Sequence, residues 1–193
     1  MALVDFIPVI LFVVSTVILQ RGLYDRMSKG AFAVFSAGTI MVICAGVFKA
    51  VWKLLYVLGI CDFERLNQTF LPVQSVGFLL AGIAALAMVF HKQTADGSRL
   101  YAATPALFSG TVIFITAMVL GYIGFCTGLA VESKRRGRIK AVVFFIIACV
   151  FMLMMGYLGT KDFSKPILNW MAEIVNLIGQ GCLLIASKEL VRK

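Results

Sequence analysis

Charged residues are scarce in this chain. Asp, Glu, Lys and Arg make up 14% of its 193 residues and hydrophobic residues 61%, with a mean hydropathy of +0.98, whereas globular domains hold roughly 25% and 45–50%. That balance excludes an ordinary water-soluble domain. Histidine is scarcer still: His91 stands alone at the end of an apolar run beside Lys92, and one imidazole cannot by itself make a haem or zinc site. The five cysteines, Cys44, Cys61, Cys126, Cys149 and Cys182, are odd in number and lack C-x-x-C spacing. A disulfide framework, a redox pair and a zinc site are therefore not expected, and the thiols read as packing groups. H-E-x-x-H, G-x-S-x-G, paired aspartates and a Cys–His constellation are also absent, so the sequence points to no enzyme, no cofactor and no metal. Proline is rare, and Pro8, Pro72 and Pro105 fall near the starts of apolar runs, where the missing N–H does least harm.

What fills the chain is apolar sequence. About 20 such residues cross a bilayer core, and six runs of that kind are present, at about 3–20, 31–59, 70–90, 105–130, 141–158 and 168–187. The expectation is an all-α polytopic membrane protein of six transmembrane helices, forming one transmembrane domain over 1–193. The first run has no basic leader and no small-residue cleavage site, so it reads as a retained span. Met152, Met154 and Met155 read as gap fillers rather than copper ligands. Gly124 and Gly128 form a G-x-x-x-G, assigned to packing within the chain. The net charge of +9 does not indicate nucleic acid, because the basic residues gather at span ends and read as topology signals.

The last run differs from the others. At 100° per residue Asn169, Glu173, Asn176, Gln180 and Ser187 fall within an arc of about 60°, a polar stripe on an otherwise apolar helix. An acid inside a span costs several kcal/mol unless it meets a partner, water or a proton, so Glu173 is the leading candidate site and should face the bundle interior. Polar residues also serve as interhelical glue, which is the plainer reading of the stripe. In the second run Lys49, Lys53 and Tyr56 recur around Trp52. They are read as snorkelling at an interface or as a cationic lining at a cavity mouth. The densest basic segment, residues 132–140, marks a face that is not translocated and a surface for a partner subunit.

The halves 1–92 and 93–193 carry a faint echo: Leu66-Asn67, Gln74 and Gly77 against Leu168-Asn169, Asn176 and Gly179, at equal spacing. With three spans per half, the expected relation is a three-plus-three inverted repeat in which Gln74 and Glu173 lie toward opposite faces. On that topology Lys49 sits tens of Å from Glu173, while Ser15, Thr16, Ser36, Thr39, Ser109 and Thr111 lie at its depth. Both termini then share a face with Lys49, Lys53, Arg65, residues 132–140, Lys188, Arg192 and Lys193, most of the 18 basic residues, so both are expected in the cytoplasm. Trp52 and Tyr56 would mark the cytoplasmic interface; Tyr101, Tyr157, Phe163 and Trp170 would mark the external one. The functional expectation is binding or transport of a small solute or ion along the polar stripe in a plasma or bacterial inner membrane. Its ligand-binding residues would be Glu173, Asn176, Gln180, Gln74 and Asn169. The alternative is a structural, sensory or assembly subunit.

Overall fold

A computed structural model describes residues 4–90, 111–158 and 166–192. Its helices are α1 (Phe6–Leu23, followed by a 3-10 turn at Tyr24–Arg26), α2 (Lys29–Val57), α3 (Glu64–Phe90), α4 (Thr111–Arg135), α5 (Ile139–Leu158) and α6 (Pro166–Val191). All six are long and apolar enough to cross a membrane, so the fold is all-helical and multi-pass, as the composition requires. His91, Tyr101, Ser109 and Phe163 lie outside the described residues.

Local chemistry sets the boundaries. Ser28 has an extended backbone and its hydroxyl accepts from the Ala31 N–H at 3.2 Å, capping α2. α2 and α4 both end on a left-handed glycine, Gly59 at φ 67° and Gly137 at φ 69°. In each turn the following residue donates back five positions: Ile60 N–H to Leu55 O, and Arg138 N–H to Ser133 O. α3 begins six residues before the apolar run at 70–90, so Pro72 lies inside the helix rather than in its first turn. The Gln68 carbonyl loses its helical partner there, at an exposed position where solvent or headgroups replace it.

The helices close into a ring in chain order, with α6 against α1. Their directions do not simply alternate. Along α3 and α4 the contacts advance together: Phe78 and Leu79 against Gly121, Ala85 against Gly128, and the Val89 carbonyl accepting from Arg135 Nη2 at 2.8 Å. These two helices are parallel. α1 and α6 are parallel as well, since Asp5 and Glu173 meet one lysine at one end while Gly22 packs on Val191 at the other. Phe90 and Thr111 therefore sit at opposite ends of the bundle, and residues 91–110, which join them, lie outside the described residues.

Two expectations are corrected by this geometry. The triplets α1–α3 and α4–α6 run in the same sense, so the halves are not inverted; and residues 4–5 lie at the opposite end from Arg192. Both expectations depend on treating 91–110 as a link along one face. Trp52 and Trp170 also share an end, because the residues beside them, Lys53 and Glu173, are in contact. Trp52 stacks on Tyr56 at 5.9 Å and donates to Asp62 at 3.1 Å there.

Basic residues divide unequally between the ends. Among the described residues Arg21, Arg26, Lys29, Lys134, Arg135, Arg136, Arg138, Lys140, Lys188 and Arg192 occupy one, with Asp25, Glu132 and Glu189; the other holds Lys49, Lys53 and Arg65 with Asp5, Asp62, Glu64 and Glu173. Four helices terminate at the basic end, presenting the negative poles of their dipoles and unpaired carbonyls. The arginines answer them: besides Arg135, Arg136 Nη1 reaches Leu190 O at 3.4 Å and Arg138 Nη2 reaches Arg192 O at 2.8 Å, while Arg136 Nε pairs with the buried Glu132 at 2.8 Å.

α2, α3 and α4 form a slab joined backbone to backbone. A Cβ on Gly38 or Gly77 would strike the other helix's main chain, and one on Gly82 would run into the Gly121 carbonyl. Gly181, by contrast, faces open space. Gly82→Val should therefore lower stability by about 3 kcal/mol, the upper range for overpacking, because backbone cannot yield as a side chain does. Gly181→Ala should cost nothing measurable. Thermal unfolding of the two variants in one detergent checks the contrast, and equal midpoints would mean that α3 and α4 do not touch as described.

Candidate functional site

Toward the acidic end the ring opens into a cavity of about 470 Å³ to which all six helices contribute. Helical periodicity supplies its polar walls. On α2, Lys49 and Lys53 are one turn apart on the inner face; on α6, Glu173, Asn176 and Gln180 follow the i, i+3, i+7 row; on α3, Asn67 and Gln74 lie two turns apart. α1 adds Val9 and Phe12, with Asp5 just before its first turn, α4 adds Ile115 and Met118, and α5 adds Met152 and Met155. Glycine at position 46 leaves room where Val9 approaches α2.

The charges are arranged unequally. Lys53 Nζ lies 2.5 Å from Asp5 Oδ2 and 3.5 Å from Glu173 Oε1, so one ammonium serves two carboxylates. Lys49, a turn deeper, makes no ion pair with a described residue; its Nζ stands 4.1 Å from the centre of the Phe70 ring, a cation–π contact. Asp5 Oδ1, Glu173 Oε2 and Gln180 Oε1 are buried and have no hydrogen-bond partner among the described residues. Gln180 is 6% exposed, and its amide N–H reaches only the Met152 sulfur at 3.6 Å. Unsatisfied buried acceptors each cost about 1–3 kcal/mol, and all three belong to residues that line the cavity.

The cavity is blind toward the basic end. Phe12 and Phe78 meet edge to face at 5.9 Å, Phe78 meets Tyr122 at 5.0 Å, Tyr122 meets Phe125 at 6.1 Å, and Phe125 stacks on Phe35 at 5.8 Å. These rings are nearly or fully buried and fill the bundle centre beneath the polar walls.

Of the residues singled out from sequence, Glu173, Asn176, Gln180 and Gln74 line the cavity, as do Lys49 and Lys53. Asn169 does not; it is half-buried one turn before Glu173. The expected separation of tens of Å between Lys49 and Glu173 is corrected by the structure: both line one cavity, because α6 begins where α2 ends. Among the described small hydroxyl groups none is bonded to Glu173. Ser15, Thr16 and Thr39 bond to carbonyls of their own helices, and Gln20 Nε2 donates to Thr39 at 3.0 Å toward the basic half. Asp5 and Asn67 are site residues that sequence reasoning missed. Asp5 had one available signal, as the sole acid before the first apolar run.

Removing the shared cation should be worse than removing it together with an acid. Lys53→Met leaves two neighbouring carboxylates without their counter-ion and should lower stability by about 1–3 kcal/mol, below the fully buried case because the lysine is 32% exposed. Adding Glu173→Gln to that variant should recover part of the loss. Thermal midpoints of the single and double variants measure the coupling, and strictly additive effects would show that the three groups do not interact.

No protein-family model matches the chain, and comparison with curated proteins and with solved structures returns no match.

Proposed function

We propose that this is a membrane protein that binds a small polar solute in the six-helix cavity, as the receptor site of a transporter or of a solute sensor. The observation that carries the reading is the set of buried, unpartnered oxygens of Asp5, Glu173 and Gln180 on one cavity wall. A stripe acting only as interhelical glue would have satisfied them within the bundle. The cavity volume is within the roughly 300–1,000 Å³ of small-molecule sites, and its few polar groups converge on an otherwise apolar lining.

Orientation follows from the charge division. Basic residues are retained on the cytoplasmic side, which assigns the end carrying Arg21, Lys134–Arg138 and Arg192 to the cytoplasm. The cavity and residue 5 then face outward, across a plasma or bacterial inner membrane. This replaces the expectation that both termini are cytoplasmic. Helices of the two halves that run in the same sense fit a repeat about an axis along the membrane normal, the parallel kind rather than the inverted kind. The aromatic floor favours sensing over passage. Three arginines of 132–140 bond carbonyls of their own chain; the alternative of a structural or assembly subunit would use the rest of that segment.

Two measurements test this. In a cysteine-free background, the Asn176→Cys variant should react with a membrane-impermeant maleimide added from outside, and a carboxy-terminal reporter should be active only in the cytoplasm. Failure of that variant to label would remove the cavity as a site. Glu173→Gln should keep the thermal midpoint within a few degrees yet weaken solute binding about tenfold or more, as loss of a charge-assisted hydrogen bond does. Unchanged binding would take Glu173 out of the function. Liposome flux separates transporter from sensor.

A further inference from the structure

Resting on the reading of the cavity as a solute site, we infer that its ligand is a zwitterion of amino-acid size. The ligand's primary ammonium is held by Asp5 and Glu173, and its anionic group by Lys49. Three features of the walls carry this. The unpartnered atoms are all acceptors: Asp5 Oδ1, Glu173 Oε2 and Gln180 Oε1. A carboxylate ligand cannot satisfy them, whereas an ammonium brings three N–H donors. The Asp5 side chain is 9% exposed and that of Glu173 13%, so both carboxylates are largely shielded from bulk solvent.

The cations differ in availability. Lys53 is committed to the two acids, while among the described residues Lys49 makes no ion pair and stands over the Phe70 ring. Lys49 lies one turn, about 6 Å of helix rise, from Lys53 along α2, so its ammonium is a second cation, separate from the one that the acids hold. Charge balance points the same way. Among the described residues that line the cavity, two carboxylates and two ammonium groups balance when all are ionised. A ligand of net charge would leave an uncompensated charge in a low-dielectric space, and a zwitterion adds none. Gln74, Asn176 and Gln180 remain for a polar side chain, Gln180 as acceptor, above the Phe12–Phe78 floor.

The shared chemistry has two sources, a free amino acid or the headgroup of phosphatidylethanolamine, and the test separates them. Purified protein in phosphatidylglycerol nanodiscs is titrated calorimetrically with the α-amino acids. The best binder is then compared with its decarboxylated amine and its desamino acid. The amino acid should bind at least about tenfold more tightly than either analogue, the usual worth of a charged hydrogen bond. Lys49→Met should abolish the advantage over the amine, Lys49→Arg should retain it, and Asp5→Asn should abolish the advantage over the desamino acid. An analogue binding within twofold of the amino acid overturns the zwitterion while leaving the cavity as a site. If no amino acid binds, native mass spectrometry with phosphatidylethanolamine decides. Lipid retained by wild type and lost from Lys49→Met assigns the headgroup as the zwitterion. Any other pattern of lipid retention overturns the inference but not the cavity, provided that the Asn176→Cys variant still labels from outside; without that labelling both fall.

Discussion

The parallel contact between α3 and α4 governs the rest of this structure. Two helices that approach until main chain touches main chain, at Gly82 against Gly121 and Ala85 against Gly128, fix their direction as well as their distance, because close contact must be kept along several turns. Once α4 runs with α3, α5 runs back and α6 runs forward again. The start of α6 then falls at the end of α2. The meeting of Glu173 with Lys53, and the cavity around them, follow from that direction.

The same constraint explains the charge distribution. Four helices point their carboxy termini to one end and two to the other, so the bundle carries an excess of exposed carbonyls at the end where Arg135, Arg136 and Arg138 are found. Four of the seven described acids lie at the opposite end, near four amino termini, where Asp5 precedes α1 and Glu64 opens α3; the other three, Asp25, Glu132 and Glu189, stand among the arginines and lysines of the basic end. One polarity thus serves both helix-end satisfaction and the electrostatics of the cavity mouth.

Packing and site occupy different parts of the bundle. The glycine-joined slab and the aromatic cluster from Phe12 to Phe125 supply rigidity in the middle and basic half. Between that floor and the acidic mouth the six helices separate enough to leave volume, and the stripe residues line it. Polar atoms left unsatisfied in a native protein carry an energetic cost; of the six buried among the described residues, those of Asp5, Glu173 and Gln180 belong to residues that line the cavity, while those of Ser36, Tyr122 and Arg136 do not.

Much of this was legible in the residues. Six apolar runs dictate six helices, since a backbone in lipid must satisfy its own hydrogen bonds. The 3.6-residue period placed Glu173, Asn176 and Gln180 on one inward stripe and Lys49 with Lys53 on another, because these are local properties of one helix. The sequence also contained the basic clusters that gather at one end of the bundle. Which stripes face each other was not legible: it depends on the relative direction of helices whose connection, 91–110, is not itself a strong apolar run. Assuming that link stays on one face inverts the second half and puts Lys49 and Glu173 far apart. Only tertiary packing, through glycines that admit a neighbouring backbone, decided that α3 and α4 run together. That contact brought Asp5, Lys53 and Glu173 to one point and left Asn169 outside the cavity.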